Sequence, residues 1–517
     1  MFSTTCTTFR RSPTQPRKAH LPQALAAVLL TGGLAGLPAT AATIAVTSPD
    51  DSDTGTITTC TLRQAIMSMD VGGLVGSCSK SGAFGVDDTI VFAASAITGA
   101  ATPGTVTLAD SADQIGNVGG TLLIFDPHLT IDGSAWRGNG AGQYSDGVTI
   151  ARPTGATHAF GIIRDTAASG GSLTLKGLTI RNGSAIAGLC NGFGEGGGIC
   201  IVAADLSMTD SKVSGNFAGN GGGGIAAPTG EVTLTRCAIE NNIAYLGGGL
   251  HFGSGNATVM ESTISGNGDW TVSHGGGIRA EGTLVMVGST ISGNIGKIGA
   301  GIDAVGDMSL TRSVVIDNQA YYRGGGIHVP VGGTATVTGS SIIGNSARYG
   351  GGGVYAEGTL TASNSTISGN FVLGAGGGVL ANGAIEFRHV TLSGNASSGL
   401  TGGIDGSGHG TIDHSIVAGN SQSSGTDIHL GGGWTGSYNL TSTANLDLGP
   451  LQDNGGPTWT MLPGVGSTAI DAIPLQACTE SVDQRGVARP QYAGCDTGAV
   501  EVAPDIIFVD GFDAPHA

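Results

Sequence analysis

The side chains best suited to chemistry occupy one recurring position, directly after a glycine cluster and an aliphatic residue. Along the chain this position holds His251, Arg279, Asp303, His328, Tyr355, Leu380 and Asp405. Side chains alternate across a strand, so the residue after an inward-facing aliphatic residue points outward. The five residues from His251 to Tyr355, called the polar row below, carry groups that bind sugar hydroxyls or an acidic glycan. We expect a ligand-binding face, and the alternative is an ordinary solvated surface.

An asparagine closes each of the repeats that position this row. The nine closing residues are Asn216, Asn242, Asn267, Asn294, Asn318, Asn345, Asn370, Asn395 and Asn420. Successive asparagines are 24 to 27 residues apart, a period that is typical of a solenoid with stacked coils. Stacked amide side chains hydrogen-bond to one another along such a stack. We therefore predict a structural role for this column.

Between the asparagines, apolar and hydroxylic residues alternate with a period of two. Val213, Ile239 and Ile264 stand three residues before their asparagines, whereas Thr233 and Thr235 flank an apolar residue. This pattern is typical of short strands with one buried face, and the glycine clusters supply the turns. No window combines a sustained helical period with capping residues. The predicted fold class is all-β, a right-handed parallel β-helix with an N-terminal cap and a small C-terminal module.

Three segments resemble parts of exported bacterial β-helix proteins. The pairing of GGGI at 275–278 with SGN at 292–294 resembles the repeats of polymorphic outer membrane proteins. TCTLRQAI at 59–66 resembles the CSLREA-type motif that follows the signal in such proteins, with Thr and Gln replacing the usual Ser and Glu. Residues 449–501, which include LQDNGGPT and DTGAVE, resemble the choice-of-anchor Q module. The resemblance implies export and handling at a cell surface.

The chain begins with a pattern typical of a secretory signal peptide. Basic residues between 10 and 18 precede an apolar run at 21–37 and an Ala-Thr-Ala cleavage site. The predicted segments are the signal at 1–41, the N-terminal cap and first irregular coils at 44–160, the β-helix at 161–448, the choice-of-anchor Q-like module at 449–502 and a tail at 503–517. No later apolar stretch has the length of a membrane span. We expect an extracellular or cell-surface protein of a Gram-negative outer membrane.

The cysteine residues fit an oxidising compartment. Apart from Cys6 in the predicted signal, six form sequence-local pairs. These pairs are Cys60 with Cys78, Cys190 with Cys200, and Cys478 with Cys495. Six cysteines allow fifteen connectivities, so this pairing is a hypothesis. Cys237 remains, in a column that carries serine in most other repeats, and we expect it to be an inert interior residue.

Composition excludes some classes of partner. The net charge is −17 with only 21 basic residues, and the mature chain has no basic cluster, which argues against nucleic acid. Glycine is abundant, with 95 residues, but an apolar content of 39% and the strict columns argue against disorder. We expect a soluble or peripherally anchored monomer.

Catalytic patterns are incomplete in this sequence. His409 lies in the segment SGHG, which resembles the GHG element of pectin hydrolases. Those enzymes also need acidic motifs before it and an RIK motif after it, whereas only Asp405 precedes His409 and no RIK follows. A lyase needs a cluster of calcium-binding carboxylates with a basic residue, and the sequence has none.

A second outward column contains Arg236, Glu261, Arg312, His389 and His414. We expect this column to be plain surface, because two histidines on a flat face make only a weak metal site. No cofactor or metal is predicted. The hypothesis is an exported structural or adhesive protein without catalysis, whose partner is an extracellular glycan or the surface of a host or neighbouring cell. The alternative is a polysaccharide-active lyase or hydrolase. An enzyme would show convergent carboxylates with perturbed pKa values in one groove.

Overall fold

A computed structural model shows a right-handed parallel β-helix of about 11 turns, which confirms the predicted fold class. The structure describes residues 40–51, 58–85, 87–93, 104–110, 120–136, 147–167, 169–186, 190, 194–271, 273–422 and 426–503. Nearly all of the predicted signal peptide and of the predicted C-terminal tail lies outside these residues.

The largest sheet, called sheet A, receives two strands from most coils, and a short bend joins them. Its first strands are Thr43–Val46, Asp88–Phe92, His128–Asp132, Ser172–Lys176, Asp205–Thr209, Val232–Thr235, Ala257–Met260, Leu284–Val287, Asp307–Thr311, Thr334–Thr338, His409–Asp413 and Trp434–Thr435. Its second strands are Thr105–Thr107, Val148–Ala151, Leu178–Arg181, Lys212–Ser214, Ala238–Glu240, Thr263–Ser265, Thr290–Ser292, Val314–Ile316, Ser341–Ile343 and Ile416–Val417. In two coils both strands are continuous, as Thr359–Ser368 and Ala384–Ser393. Successive coils pair in parallel and in register.

Sheet B takes one strand per coil, starting at the aliphatic residue that follows the glycine cluster. Its strands are Leu122–Ile124, Ile163–Asp165, Ile199–Ile201, Ile225–Ala227, Leu250–Phe252, Ile278–Ala280, Ile302–Ala304, Ile327–Val329, Val354–Ala356, Val379–Ala381, Ile404–Gly406 and Ile428–Leu430. Sheet C follows the closing asparagine and contains Ile295–Ile298, Gln319–Arg323, Ser346–Ala347, Phe371–Val372 and Ala396–Ser397. Ser184–Ala185 pairs separately with Phe217–Ala218.

The interior of the coils is an apolar core built from the alternating residues. Val213, Ile239 and Ile264 are fully buried and stack in register, whereas Thr233 on the opposite face of its strand is partly exposed. Burying one such aliphatic side chain stabilises a fold by about 1.5–3 kcal/mol. The regular alternation therefore supplies the main driving force for stacking.

The asparagine column forms a continuous hydrogen-bonded ladder inside the solenoid. Asn294 Oδ1 accepts from the backbone N–H and the Nδ2 of Asn267 at 2.9 and 3.0 Å. Asn294 Nδ2 donates to Asn318 Oδ1 and to the Ile264 carbonyl, both at 2.9 Å. The same amide-to-amide bond joins every successive pair from Asn216 to Asn420. The predicted structural ladder is confirmed.

Each bend of sheet A places one residue in the left-handed backbone region. This position holds Asp210, Arg236, Glu261, Gly288, Arg312, Gly339, Asn364, His389 and His414, with φ between 43° and 58°. The next residue is buried, and it is serine in most coils. Cys237 occupies that place, where burial raises the pKa of its thiol to about 11. The thiol therefore stays protonated at neutral pH, and a protonated thiol is a poor nucleophile.

An α-helix, Leu62–Val71, lies in the stretch that resembles the CSLREA-type motif. Thr61 and Gln64 form a capping box, because each side chain accepts a hydrogen bond from the other residue's backbone N–H, at 3.2 and 3.3 Å. The helix ends at Gly72, whose φ of 61° is left-handed. The repeat pattern gave no sign of this helix because it is a local element. The missed signal was the T-x-x-Q spacing before apolar residues.

Beyond the last coil the chain forms a small module of antiparallel pairs. Leu448–Gln452 pairs with Thr460–Pro463, and Ile473–Pro474 pairs with Gly494–Cys495. Among the shorter elements, Lys80–Ser81 pairs antiparallel with the first strand of sheet A, and two 3-10 helices span Ser134–Trp136 and Leu475–Ala477.

The C-terminal module packs against the second strands of sheet A. Gln484 lies at the contact, where its Nε2 donates to Ser341 Oγ at 3.0 Å and its Oε1 accepts from Thr366 Oγ1 at 2.7 Å. Gly498 N–H donates to the His414 carbonyl at 2.8 Å. Because Gln484 is only 3% exposed, these bonds form inside a closed interface.

Disulfide bonds join Cys60 to Cys78, Cys190 to Cys200, and Cys478 to Cys495. These bonds are typical of exported proteins. Across the part of the chain that the structure describes, no helix has both the length and the apolar character needed to cross a bilayer.

Candidate functional site

Sheet B brings the polar row together on its outer face. Parallel pairing sets His251 beside Arg279, Arg279 beside Asp303, Asp303 beside His328, and His328 beside Tyr355. The preceding aliphatic residue of each strand is fully buried in the core, so the row residue points away from it. The row thus has one residue per coil, in the order that the sequence spacing predicts.

The polar row points away from the core but is mostly covered by its neighbours. His251 and His328 are 8% exposed, Tyr355 is 2% exposed and Asp303 is 1% exposed. Whether the row binds a ligand stays a prediction. Alternation along a strand fixes the direction of a side chain, but the residues of neighbouring turns decide how much of it water reaches.

An unbroken chain of charged contacts links the row. Arg279 pairs with Asp303, whose other oxygen lies 2.8 Å from His328 Nδ1. His328 Nε2 lies 3.3 Å from Glu357 Oε2. Toward the N-terminal coils, Glu281 contacts Arg279 at 3.4 Å. Acidic and basic side chains alternate along the solenoid, so each carboxylate has a basic neighbour.

A further contact extends this chain to His251, whose Nε2 lies 3.6 Å from Glu281 Oε1. Glu281 and Glu357 have side chains that are 41% and 32% exposed. These two carboxylates are therefore the parts of the network that a ligand in solution reaches most easily.

These contacts keep the three central carboxylates ionised. Burial alone would raise the pKa of Asp303, but His328 and Arg279 outweigh it and hold the pKa below the ordinary value. The pKa of Glu281 is lowered chiefly by His251. The pKa of Glu357 is also lowered, because Tyr355 and His328 outweigh its burial. These three carboxylates therefore offer fixed negative charge for binding a ligand.

Two groups at the ends of the network shift the other way. Burial raises the pKa of Glu195, which accepts a hydrogen bond from Asn220 at 2.9 Å. Burial also raises the pKa of the Tyr355 phenol. The Tyr355 hydroxyl accepts from Arg323 Nη1 at 2.9 Å, and its ring stacks on His328 with centroids 5.2 Å apart.

A cluster of exposed aromatic residues lies in and just after two adjacent strands of sheet C. The tyrosine–arginine cluster consists of Tyr321, Tyr322, Arg348 and Tyr349. Its three tyrosines are 39%, 39% and 48% exposed. The repeat pattern did not predict a role for these residues, which follow the asparagine by three or four positions in two adjacent repeats. Their shared offset from Asn318 and Asn345 was the available signal.

The second outward column is not plain surface at its C-terminal end, which corrects that expectation. His389 is fully buried and His414 is 6% exposed, because the C-terminal module covers them. Their rings stack with centroids 4.9 Å apart, and His414 stacks on Tyr438 at 5.5 Å. Burial, then the nearby Arg489, lowers the pKa of His389 to about 2.

The segment around His409 does not assemble the acidic partners of a pectin hydrolase. His409 begins a strand of sheet A, whereas Asp405 lies in sheet B and pairs with His429 at 2.8 Å. Within the described ranges, no three His, Cys, Asp or Glu residues converge where they could hold a metal ion.

Comparison with known proteins gives a match to the fold. Residues 166–372, which include the whole polar row, match the family model described as a right handed beta helix region. A search of curated proteins gives no match. Among solved structures, the crystal structure of pectate lyase Pel9A is similar at 13% identity and a TM-score of 0.34, covering 80% of this chain and 88% of that chain. The chain is thus a right-handed β-helix repeat protein, and its activity does not follow from these similarities.

Proposed function

We propose that the protein is an exported, non-catalytic structural or adhesive β-helix that binds glycan at the surface of the cell. Export is supported by three disulfide bonds and by the signal-like pattern at 1–41. The resemblance of residues 449–501 to a choice-of-anchor Q module supports a surface location. The regular solenoid provides a long, rigid support for a binding face.

One observation carries the binding role, namely the chain of charges from Glu281 through Arg279, Asp303 and His328 to Glu357. These groups are held by one another, so their positions are fixed before any ligand arrives. Preorganised polar groups bind a ligand with little loss of conformational entropy. Glycan hydroxyls suit such a face because they donate to the carboxylates and accept from the cations.

The alternative function, a polysaccharide-active lyase or hydrolase, is supported by no observation of comparable weight. A general base must be close to the proton it removes and must be free to accept it. Asp303, the central carboxylate, is 1% exposed and already engaged by Arg279 and His328. The fold alone hosts both enzymes and non-enzymes, so it does not decide between them.

The test is binding of the full chain to a glycan array, with soluble degradation products measured in the same wells. We expect binding without products. The double variant Glu281→Gln and Glu357→Gln should bind at least about tenfold more weakly, equivalent to about 1.4 kcal/mol. Glu386→Gln is the matched control, because its side chain is 57% exposed on sheet A.

Shortened glycans would replace this proposal with the enzyme. A chain that neither binds nor cleaves any glycan would reject both. Equal loss in the control variant would show that net charge, rather than the polar row, governs binding.

A further inference from the structure

Three exposed tyrosines are grouped in the described part of the chain. Tyr321, Tyr322 and Tyr349 are joined by ring contacts in the segments that lead into sheet B. They are between 39% and 48% exposed. Exposed aromatic surface that is grouped rather than scattered marks an interaction site.

The side chains of the tyrosine–arginine cluster are held by contacts with one another. The rings of Tyr321 and Tyr322 meet edge to face with centroids 4.9 Å apart, and Tyr322 stacks on Tyr349 at 5.7 Å. The Arg348 guanidinium lies 5.4 Å from the rings of both Tyr321 and Tyr349. Arg348 Nη1 also donates to the Tyr321 hydroxyl at 3.0 Å. The cluster thus presents fixed aromatic faces across two adjacent coils.

The cluster is continuous with the polar row. The strand Gln319–Arg323 carries Tyr321, Tyr322 and Arg323. The Arg323 guanidinium lies 5.0 Å from the Tyr355 ring, and Tyr355 stacks on His328 of the row. Arg323, which follows Tyr322 in this strand, therefore connects the cluster to Tyr355 and through it to the row.

Charge selects among the possible ligands. Tyrosine combines a flat apolar face with a hydroxyl at its rim, which suits the apolar face and the equatorial hydroxyls of a sugar ring. A polyanion meets an ionised Glu357 beside the cluster and a chain of net charge −17, both of which repel it. The two arginines of the site are already engaged by tyrosine rings and hydroxyls.

We infer that the tyrosine–arginine cluster and the adjoining edge of the polar row form a binding subsite for a neutral glycan, with sugar rings packed against the exposed parts of Tyr322 and Tyr349. This inference rests on the proposed function and names its ligand class. Coils repeat at roughly 4.8 Å, so successive sugar units along the solenoid axis meet successive coils. Arg323 and Glu357 hold the hydroxyls of the sugar on the side of the row.

The experiment is isothermal titration calorimetry of the full chain with soluble neutral polysaccharides and with a polyuronate, at low and at high salt. We expect binding to the neutral polymers that salt leaves unchanged, because no net charge is neutralised. The double variant Tyr322→Ala and Tyr349→Ala should lose at least about tenfold in affinity. Tyr492→Ala, a tyrosine of the C-terminal module that is 38% exposed, should bind as the parent chain does.

Preferential, salt-sensitive binding of the polyuronate would overturn the inference and leave the proposed function intact. So would unchanged affinity in the tyrosine double variant, provided that Glu281→Gln with Glu357→Gln still weakens binding. Absence of binding to every polymer would reject the proposed function itself. Urea unfolding midpoints of all variants check that each variant is folded. We expect these midpoints to match the parent chain, because the replaced side chains lie at the surface.

Discussion

The asparagine column and the polar row both stack one polar side chain per coil, but they do so under different rules. A side-chain amide has both a donor and an acceptor, so an asparagine can hydrogen-bond to an identical residue in the next coil. Such a stack can continue over any number of coils, as Asn267, Asn294 and Asn318 show. An ionised group repels its own kind, so Arg279 and Asp303 must alternate. We therefore expect a stack of one repeated residue to stabilise the fold. A stack whose residue changes at each coil instead gives the surface a specific arrangement of side chains.

The first prediction breaks the ladder in the middle. Asn294→Ala leaves the Asn267 amide groups and the Ile264 carbonyl without their partner in a fully buried place. Each unsatisfied buried group costs about 1–3 kcal/mol, so we expect a loss of about 3–5 kcal/mol in the free energy of unfolding. Urea unfolding followed by circular dichroism measures it. Asn256→Ala, at an exposed asparagine, is the control, and a similar loss there would contradict a special role for the ladder.

The second prediction breaks the polar row. Arg279→Met leaves Asp303, whose side chain is 2% exposed, with His328 as its remaining basic partner. Loss of one partner from a buried ion pair is strongly destabilising, and the retained histidine limits the expected cost to about 2 kcal/mol at neutral pH. Arg279→Lys keeps the charge and should lose less. Equal stability of Arg279→Met and the parent chain would show that the row makes no net contribution.

The sign of the pH effect follows from the lowered pKa of Asp303. The contribution of this carboxylate is present above its ordinary value of 3.8 and is lost as pH falls through its lower folded value. The difference between Arg279→Met and the parent chain should therefore shrink in acid. Urea unfolding at several pH values below 5 measures the difference, and one that stays constant would mean that Asp303 is not the affected group.

The third prediction concerns the stacked rings of His389 and His414, which are joined neither by amide hydrogen bonds nor by alternating charges. His389 stacks on His414, but neither ring nitrogen of His389 makes a hydrogen bond of normal geometry within the described structure. Its pKa is lowered to about 2 by burial and by Arg489. Between pH 6.5 and 2 the unfolded chain binds a proton that the folded chain does not, so stability falls as pH falls. The expected loss is about 2 kcal/mol between pH 6.5 and 5.

The variant His389→Asn isolates this contribution. Asparagine occupies the same bend in the preceding coil, as Asn364 with φ of 43°, so the backbone is retained while the titrating ring is removed. The pH dependence of the unfolding free energy should be weaker in the variant by this amount. Asp496 has a pKa raised to about 7 by burial and acts in the opposite direction, but it is common to both chains. Identical pH profiles would contradict the proposed role of His389.

The sequence predicted the columns in which one equivalent residue recurs in every coil. The order of the polar row and the ladder from Asn216 to Asn420 both follow from the repeat period alone. Three features did not follow. The burial of Asp303 depends on the residues of flanking turns, and the covering of His389 depends on the module near Gln484, more than ninety residues away. Contacts at such distances leave no period in the sequence. The helix Leu62–Val71 is different, because its capping box was present and was overlooked.

The smallest change in stability is expected at the bend of sheet A. The coils share a left-handed backbone conformation there, but the side chain differs from coil to coil. Gly288 has φ of 58°, and a Cβ added there would meet no atom closer than Glu261 Cγ at 3.9 Å. Space is therefore not limiting, and only the left-handed conformation selects the residue. Gly288→Asn should change stability by less than about 0.5 kcal/mol, because asparagine adopts this conformation readily. Gly288→Val should cost about 1–2 kcal/mol, since a β-branched residue does not.

Thermal unfolding of the two variants beside Asn294→Ala compares the bend with the asparagine column on one scale. A valine variant as stable as the parent chain would show that the bend relaxes out of the left-handed region. An asparagine variant as damaged as the valine variant would mean that glycine is needed there for close approach, against the open space around its Cβ position. If valine is destabilising and asparagine is neutral, as we expect, then only the backbone conformation restricts the residue type at the bend. Its residues are then free to vary, and this freedom is what allows Arg236, Glu261 and His389 to occupy equivalent places.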